Sequence, residues 1–185
     1  MPRIFIAINF PPAAKKELEN LIKALQAYNL PIKWADSNII HLTLNFLGDL
    51  NNQEITQAGE IISSIVKNYS KLPLTIGNQL DAFPKKRKPS VIILKIHPEP
   101  NLIKLQNQLT CELKRAKIGN IEERKYIPHL TLGRVGGWEI KLSENFWKEK
   151  LSQNLTFNIT SIDIMKSKLF PEGPQHQIIK KFALL

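Results

Sequence analysis

The chain has 185 residues, of which 43% are hydrophobic and 23% are charged, as in an ordinary globular protein with one core. Lys and Arg outnumber Asp and Glu by 26 to 16, and the resulting net charge of +10 favours a polyanionic partner such as RNA. The single cysteine, Cys111, excludes an intramolecular disulfide and a thiolate metal cluster. No apolar run approaches the roughly 20 residues of a membrane helix. From its length and composition, we expect the chain to form one domain over residues 1–185, and we expect the protein to be monomeric and cytoplasmic.

The first part of the chain predicts alternating strands and helices. Residues 3–9 are almost all apolar and predict a buried strand, which ends at two prolines. Apolar side chains recur every three or four residues from 13 to 28, the pattern of an amphipathic helix. A short strand at 32–35 and a turn at 36–38 lead into a second apolar strand at 39–47, which Gly48 is predicted to end.

The rest of the chain continues in the same manner. Residues 84–89 are a basic tip between two predicted strands, and the tip is either a solvated loop or an arm that follows phosphates. Ser143 is placed to cap a short helix that extends to residue 150. The other predicted elements are helices at 53–69 and 100–117, strands at 72–83, 90–96, 127–135, 155–165 and 177–184, and a turn at 171–174.

One four-residue motif occurs twice, as His41-Leu42-Thr43-Leu44 and as His129-Leu130-Thr131-Leu132. Both copies lie in predicted strands, where alternation places His and Thr on one face and the two leucines on the other. The pattern of strand, helix and strand before each copy also repeats. This duplication predicts two lobes related by a pseudo-twofold axis, with helices over the leucine faces and the His and Thr faces lining one cleft.

Two histidines in one cleft are suited to general acid–base catalysis, because one imidazole can accept a proton while the other donates one. The threonine two residues after each histidine shares its face, and its hydroxyl can donate to an anionic oxygen. Phosphate fits such a site. With no Cys or Ser nucleophile beside a base, the sequence favours direct attack by water over a covalent intermediate.

Two other interpretations of the motif stay open at this point. Metal binding requires three or four ligands, and each motif supplies one histidine with no Cys or carboxylate nearby in the sequence. A structural role would suit either histidine alone, as a satisfied core side chain. His97 and His176 have no companion threonine, and we expect both to be surface or loop histidines, with a place for His176 at the border of the cleft as the alternative.

The motifs resemble those of the 2H phosphoesterases, and within them the bacterial and archaeal RNA 2′,3′-cyclic phosphodiesterases once called 2′-5′ RNA ligases. The similarity spans most of the chain. It rests on Arg3-Ile4-Phe5-Ile6-Ala7, on Trp34 with His41-Leu42-Thr43-Leu44-Asn45-Phe46-Leu47-Gly48, on Pro128-His129-Leu130-Thr131-Leu132-Gly133-Arg134, and on Ser167-Lys168-Leu169 with Gly173.

The resemblance implies a bilobal α+β fold, no metal and no other cofactor. It also implies attack by water on a terminal 2′,3′-cyclic phosphate of RNA, which leaves a 2′-phosphomonoester. By this resemblance, the catalytic residues are His41, Thr43, His129 and Thr131, and Arg134 contacts the phosphate.

Three points qualify that transfer of functions. Strict alternation turns Arg134 away from His129, so a phosphate contact by Arg134 requires a bulge or a strand end at Gly133. The sequence departs from the family pattern at Asn45, where relatives often have Lys, and at His176, where many have Tyr. The sequence is nearly symmetric about the two motifs, and only the resemblance assigns His41 to protonate the leaving O3′ and His129 to activate water.

The sequence therefore predicts an α+β fold of two pseudo-twofold-related lobes, each an antiparallel sheet covered by helices, around a central cleft. The expected function is hydrolysis of RNA ends that carry a 2′,3′-cyclic phosphate, with such ends as the partner and no membrane partner. Two alternatives stay open. One is a cyclic phosphodiesterase that acts on small nucleotides, and the other is a protein that joins 2′-5′ RNA ends or only binds RNA ends.

Overall fold

Two antiparallel sheets and four α-helices form the structure, a computed structural model that describes residues 2–136, 140–170 and 173–185. In chain order the elements are β1 (Arg3–Asn9), α1 (Pro12–Gln26), β2 (Ile32–Trp34), β3 (His41–Asp49), α2 (Asn52–Val66), β4 (Leu72–Lys85), β5 (Lys88–Ile96), α3 (Pro100–Arg115), β6 (His129–Val135), α4 (Glu144–Lys148), β7 (Leu155–Ile159), β8 (Ser161–Phe170) and β9 (Gly173–Ala183).

The two motif strands belong to different sheets, as the predicted α+β fold with two lobes requires. Sheet A has the strand order β3-β1-β8-β9, and sheet B has the order β2-β6-β5-β4-β7. The sheets are not consecutive halves of the chain, because β2 joins sheet B while β8 and β9 return to sheet A. Each sheet is thus completed by strands from the other half of the sequence.

The predicted single strand at 155–165 is wrong. The chain forms β7, which pairs with β4 in sheet B, and then β8, which pairs with β1 in sheet A. Thr160 lies between the two strands and connects the sheets. The apolar alternation is similar on both sides of Thr160, so the side-chain pattern did not show that the strand changes its partner.

Local sequence explains where the helices begin. Pro12 and Pro100 occupy the first turns of α1 and α3, where a missing N–H breaks no helical hydrogen bond. Asn51 and Glu54 form a capping box at the start of α2. The predicted cap of α4 is confirmed, because the Ser143 hydroxyl accepts from the Phe146 N–H at 3.2 Å.

The apolar faces of α1, α2 and α3 join the buried faces of both sheets in one hydrophobic core. Leu18 of α1, Ile62 of α2 and Leu109 of α3 are fully buried in it. The leucines of both motifs, Leu42 and Leu130 among them, belong to the same core. Burying these side chains is the main stabilising contribution to the fold.

Two predicted strand boundaries differ from the structure. Asp36 caps a short 3-10 turn at Ser37–Ile39, so β3 begins at His41 and not at residue 39. Gly48 does not end β3, because it lies within the strand at a positive φ of 78° next to a register shift opposite β1. β4 and β5 extend into the basic tip and leave Lys86 and Arg87 as its turn.

Some predicted features lie outside the described residues. Residues 171 and 172 of the predicted turn are among them, as is Gly137, which follows the second motif strand. Within the described ranges, no helix is long and apolar enough to cross a membrane.

Candidate active site

Both motif strands show the predicted alternation of faces. In β3, Leu42 and Leu44 are buried, while His41 and Thr43 are only partly covered. The burial pattern of β6 is the same from His129 to Arg134. We call the surface that carries His and Thr the cleft face of each sheet.

Each motif strand has a bulge at the same position after its histidine. In sheet A, Ala7 of β1 lies opposite Thr43 and Ile6 lies opposite Asn45, so Leu44 is the extra residue. Sheet B repeats this arrangement, because Ile93 lies opposite Thr131 and Ile92 lies opposite Gly133. The pseudo-twofold relation therefore extends to the individual register of the two strand pairs.

The bulge reverses the faces of the residues that follow it. Phe46 lies opposite Phe5 and Arg134 lies opposite Val91, and both Phe46 and Arg134 return to the cleft face. The bulge that the Arg134 contact required is thus present. Arg134 is exposed, and its positive charge acts on the nearby His129.

The two imidazoles are held in the same way. His41 Nδ1 lies 2.8 Å from the carbonyl oxygen of Ile39, and His129 Nδ1 lies 2.7 Å from the carbonyl oxygen of Ile127. A carbonyl oxygen only accepts hydrogen bonds, so Nδ1 carries the hydrogen and donates in both cases. Nε2 of each ring is then the atom that can accept or release a proton at the cleft.

His41 lies among other aromatic rings. Its centroid is 4.8 Å from that of Phe5 and 5.1 Å from that of His176, which stands perpendicular to it. The pKa of His41 is lowered to about 4, mainly by burial and also by the positive charges of His176 and Lys15, although the hydrogen bond to Ile39 acts in the opposite direction. Free of ligand, His41 is therefore neutral at pH 7.

The expectation that His176 is a surface or loop histidine is wrong. It lies in β9 and packs edge-on against Phe5 and His41. This confirms the alternative, a place at the border of the cleft face. The sequence did not predict the contact between His41 and His176 because 135 positions separate them. Only the pairing of β8 with β9 brings His176 close to β1 and β3.

His129 has a different neighbourhood. Its ring stands edge-on to Phe83 with 4.8 Å between the centroids. Burial lowers the pKa of His129, and the charge of Arg134 lowers it further, while the hydrogen bond to Ile127 raises it. The lowering is smaller than at His41.

A tyrosine connects the two motifs. β3 and β6 lie next to each other although they belong to different sheets. Tyr126, three residues before His129, donates from its hydroxyl to the carbonyl oxygen of Thr43 at 3.1 Å. Burial raises the pKa of Tyr126, so its hydroxyl stays protonated and remains a donor.

The remaining predicted residues lie apart from this arrangement. His97 is exposed, as expected, and Cys111 is exposed on α3. The basic tip is exposed too, and the ammonium of Lys86 lies 5.0 Å from the centre of the Trp147 ring. Within the described part of the chain, no group of three or more His, Cys, Asp and Glu side chains could hold a metal ion.

Sequence reasoning missed several residues on the cleft face. One of them, Phe46, could have been found by aligning the two motifs, because it stands five positions after His41 as Arg134 stands five after His129. Tyr126 had no comparable signal, since its partner is a backbone carbonyl of a distant strand.

The sequence model of the 2′-5′ RNA ligase superfamily matches residues 10–169. The chain belongs to this superfamily. An RNA 2′,3′-cyclic phosphodiesterase of Thermotoga maritima is 30% identical over 182 residues, which cover 96% of this chain and 92% of the relative. A protein of the same name from Methanothermobacter thermautotrophicus is 24% identical over 184 residues, which cover 98% of each chain.

Solved structures show the same fold. The protein TT0787 of Thermus thermophilus has a TM-score of 0.84 at 20% identity and covers 98% of this chain and 97% of its own. Escherichia coli LigT complexed with 3′-AMP has a TM-score of 0.79 at 21% identity and covers 100% and 99%. The arrangement of two sheets with four helices is therefore that of these neighbours.

Proposed function

We propose that the protein hydrolyses terminal 2′,3′-cyclic phosphates of RNA to 2′-phosphomonoesters, with His41 and His129 as the acid–base pair. The observation that carries this proposal is the duplicated site itself, in which two anchored imidazoles each leave Nε2 free beside a threonine. Two relatives that align over nearly the whole chain are named RNA 2′,3′-cyclic phosphodiesterases, which supports the same reaction.

In the proposed reaction, water attacks phosphorus opposite O3′. A bond forms between the water oxygen and phosphorus while the bond between phosphorus and O3′ breaks. One imidazole takes the proton of the water at Nε2, and the other gives its Nε2 proton to O3′. Thr43 and Thr131 donate to the non-bridging oxygens, and Arg134 offsets their charge.

We assign the base to His129 and the acid to His41, as the resemblance of the motifs to those of the 2H phosphoesterases implies. Burial and the guanidinium of Arg134 favour the neutral form of His129, which is the form that accepts a proton. The anionic cyclic phosphate raises the pKa of both imidazoles when it binds, which allows His41 to hold its proton in the complex.

The proposed reaction is tested with a short RNA that ends in a 2′,3′-cyclic phosphate, incubated with the purified protein in EDTA. We expect a 2′-phosphate product at the same rate with and without EDTA. A requirement for an added divalent metal would contradict the proposal, as would an unchanged substrate. An RNA-end-binding protein would hold such an RNA without converting it, and the His41→Ala, His129→Ala double variant would then bind equally well.

The assignment of acid and base is tested separately with a cyclic substrate in which sulfur replaces O3′, so that the 3′ leaving group is a thiolate. Such a group needs little protonation, so it should restore the rate of His41→Ala and not that of His129→Ala. Restoration of His129→Ala alone would reverse the assignment. Restoration of neither variant would indicate that the histidines position the phosphate without transferring protons.

The single-domain, monomeric and cytoplasmic state expected from the sequence stays a prediction.

A further inference from the structure

The motif strand of sheet B has a neighbour on its outer side that the motif strand of sheet A lacks. β3 is the edge strand of sheet A, whereas β6 is followed by β2 at the edge of sheet B. β2 consists of Ile32–Trp34, and its middle residue, Lys33, lies directly opposite Arg134. The surface of sheet B therefore extends by one strand beyond Arg134.

Alternation along β2 places Lys33 on the cleft face. Ile32 is buried in the core and Trp34 packs against the core, so the side chain between them points to the other side of the sheet. Residues directly opposite each other in an antiparallel pair share a face, with Cβ atoms about 4.5–5.5 Å apart. Lys33 and Arg134 are both exposed, and their side chains leave the sheet side by side.

Backbone hydrogen bonds fix Lys33 in this register. At one end of β2, the Ala35 N–H donates to the carbonyl oxygen of Leu132 at 2.8 Å. At the other end, the Gly136 N–H donates to that of Pro31 at 2.9 Å. β2 cannot slide along β6 without losing these bonds, so the position of Lys33 is part of the fold.

Two cations in this arrangement repel each other, because like charges directly opposite in a sheet are destabilising. Within the described residues, neither Lys33 nor Arg134 forms an ion pair or a side-chain hydrogen bond. Lys95 provides the contrast, since it lies opposite His129 and its ammonium forms an ion pair with Asp81. The charge of Lys95 is thus offset within the protein, whereas the two charges of Lys33 and Arg134 are not.

A bound phosphate group would remove this repulsion. A guanidinium donates through a planar fork and an ammonium through up to three hydrogens, so the two can hold the oxygens of one phosphate together. Lys33 lies level with Arg134 and not with His129 in the register, which suits it to a phosphate next to the reacting one. In an RNA that ends in a cyclic phosphate, the nearest other phosphate is the one on the 5′ side of the terminal nucleotide.

We propose that Lys33, together with Arg134, binds the phosphodiester on the 5′ side of the terminal nucleotide. The inference rests on the proposed function and adds a second phosphate site to it. Arg134 then lies between the two phosphates, and Lys33 contacts only the phosphate that does not react. This site favours RNA ends over cyclic nucleotides that lack the second phosphate.

The test compares two dinucleotides that end in a 2′,3′-cyclic phosphate and differ by one charge. One has the natural phosphodiester linkage, and the other has an uncharged methylphosphonate in its place. The variants are Lys33→Met and Lys33→Arg. The matched control is Lys67→Met, which removes an exposed lysine just after α2.

Wild type should prefer the charged dinucleotide in kcat/KM, and Lys33→Met should lower this preference by about tenfold, the effect of one charge-assisted contact. The loss should appear in KM and not in kcat, because a phosphate that does not react is bound equally in the ground state and the transition state. Lys33→Arg should retain the preference, and Lys67→Met should not change it. Binding of RNA by Lys33→Met should also depend less steeply on salt, by about one phosphate contact.

The stability of the unliganded protein provides a second measurement. Lys33→Met removes one of two opposed cations, so it should unfold at the same urea concentration as wild type or at a higher one. A lower midpoint would contradict the repulsion from which the site is inferred.

Equal losses on both dinucleotides would overturn the inference, because Lys33 would then act on the reacting phosphate or on the fold. An unchanged preference in Lys33→Met would overturn it as well. If wild type converts neither dinucleotide, the proposed function fails, and the second phosphate site is then judged by fluorescence anisotropy. The probes are single-stranded RNAs that end in a 2′-phosphate, with and without a methylphosphonate at the last linkage, and equal effects of Lys33→Met on both would exclude the site.

Discussion

The surroundings of His41 and His129 differ although the two motifs are identical. Both rings donate from Nδ1 to the carbonyl two residues before, both precede a threonine on the same face, and both strands bulge after it. These shared features fix an imidazole and a hydroxyl relative to a strand. They are the part of the site that the proposed proton transfers at one phosphate would require twice.

The neighbours that differ set the proton affinity of each ring. His41 is covered by Phe5 and His176, whereas His129 has Arg134 and an ion pair of Lys95 with Asp81 beside it. Burial is the largest cause of the lowered pKa at both rings, the charges of His176 and Lys15 add to it at His41, and the charge of Arg134 adds to it at His129. The residues around an unchanged motif can thus give its two copies different proton affinities.

The largest effect is expected from removing either imidazole. His41→Asn and His129→Asn should each lower kcat by about 10²-fold to 10⁴-fold, the usual contribution of a general acid or base. Thr43→Val and Thr131→Val should cost less, because a neutral donor to a partly solvated phosphate contributes less. Single-turnover rates with saturating enzyme measure this. A histidine whose loss costs less than tenfold would not be a proton-transfer group.

The greater burial of His41 should appear in stability as a function of pH. Its folded pKa of about 4 lies below the unfolded value of roughly 6.5, so the unfolded chain binds a proton first as the pH falls. The resulting loss of stability begins near pH 6.5 and reaches about 3 kcal/mol near pH 4. Urea unfolding at several pH values measures it.

His41→Asn should remove most of this pH dependence, and His129→Asn should remove less, because burial lowers the pKa of His129 to a smaller extent. Equal changes in the two variants would contradict the difference in burial between the two rings.

Gly133 and Asn45 occupy matching places after the bulge, and only sheet B requires a glycine there. A Cβ on Gly133 would lie 2.7 Å from Ile32 Cγ2 and 2.9 Å from Trp34 Cε3, because β2 packs against β6. Gly133→Ala should therefore lower the free energy of unfolding by about 1–3 kcal/mol through overpacking. Thermal unfolding checks this, with Gly48→Ala as a contrast in which strain arises from a positive φ and not from a neighbour.

The smallest effect concerns the pH profile of the reaction. Both imidazoles have lowered pKa values in the free enzyme, so kcat/KM should reach its maximum below pH 6.5. The rate falls at higher pH as the acid loses its proton and at lower pH as the base gains one. Bound phosphate raises both pKa values, so kcat should reach its maximum at a higher pH than kcat/KM.

Arg134→Gln sharpens this measurement. Without the guanidinium, the pKa of His129 rises, and the limb of the profile that belongs to His129 should move to higher pH. The pKa of His129 is lowered less than that of His41, so His129 titrates on the alkaline limb of kcat/KM, and that limb should move. A shift of the acidic limb would contradict this order of the two pKa values, and Lys67→Met should shift neither limb. The two apparent pKa values belong to the coupled pair, so the direction of each shift is the informative quantity.

The sequence by itself determined most of the strands and helices and the histidines and threonines of the candidate site. Periodicity located the strands and helices, and alternation in a strand predicted that Leu42 and Leu130 are buried while His41 and His129 face the cleft. The exact duplication marked the motifs and predicted two sheets. These properties depend on side chains only a few positions apart, which is why they can be read locally.

The tertiary structure determined which side chains surround each motif histidine. The bulges that return Phe46 and Arg134 to the cleft face depend on the register with β1 and β5, which no local pattern fixes. The contact of His176 with His41 requires the C-terminal strands to join the N-terminal sheet. Pairing energies between distant segments choose these partners, and the same neighbours set the burial and charge around each imidazole and so its pKa.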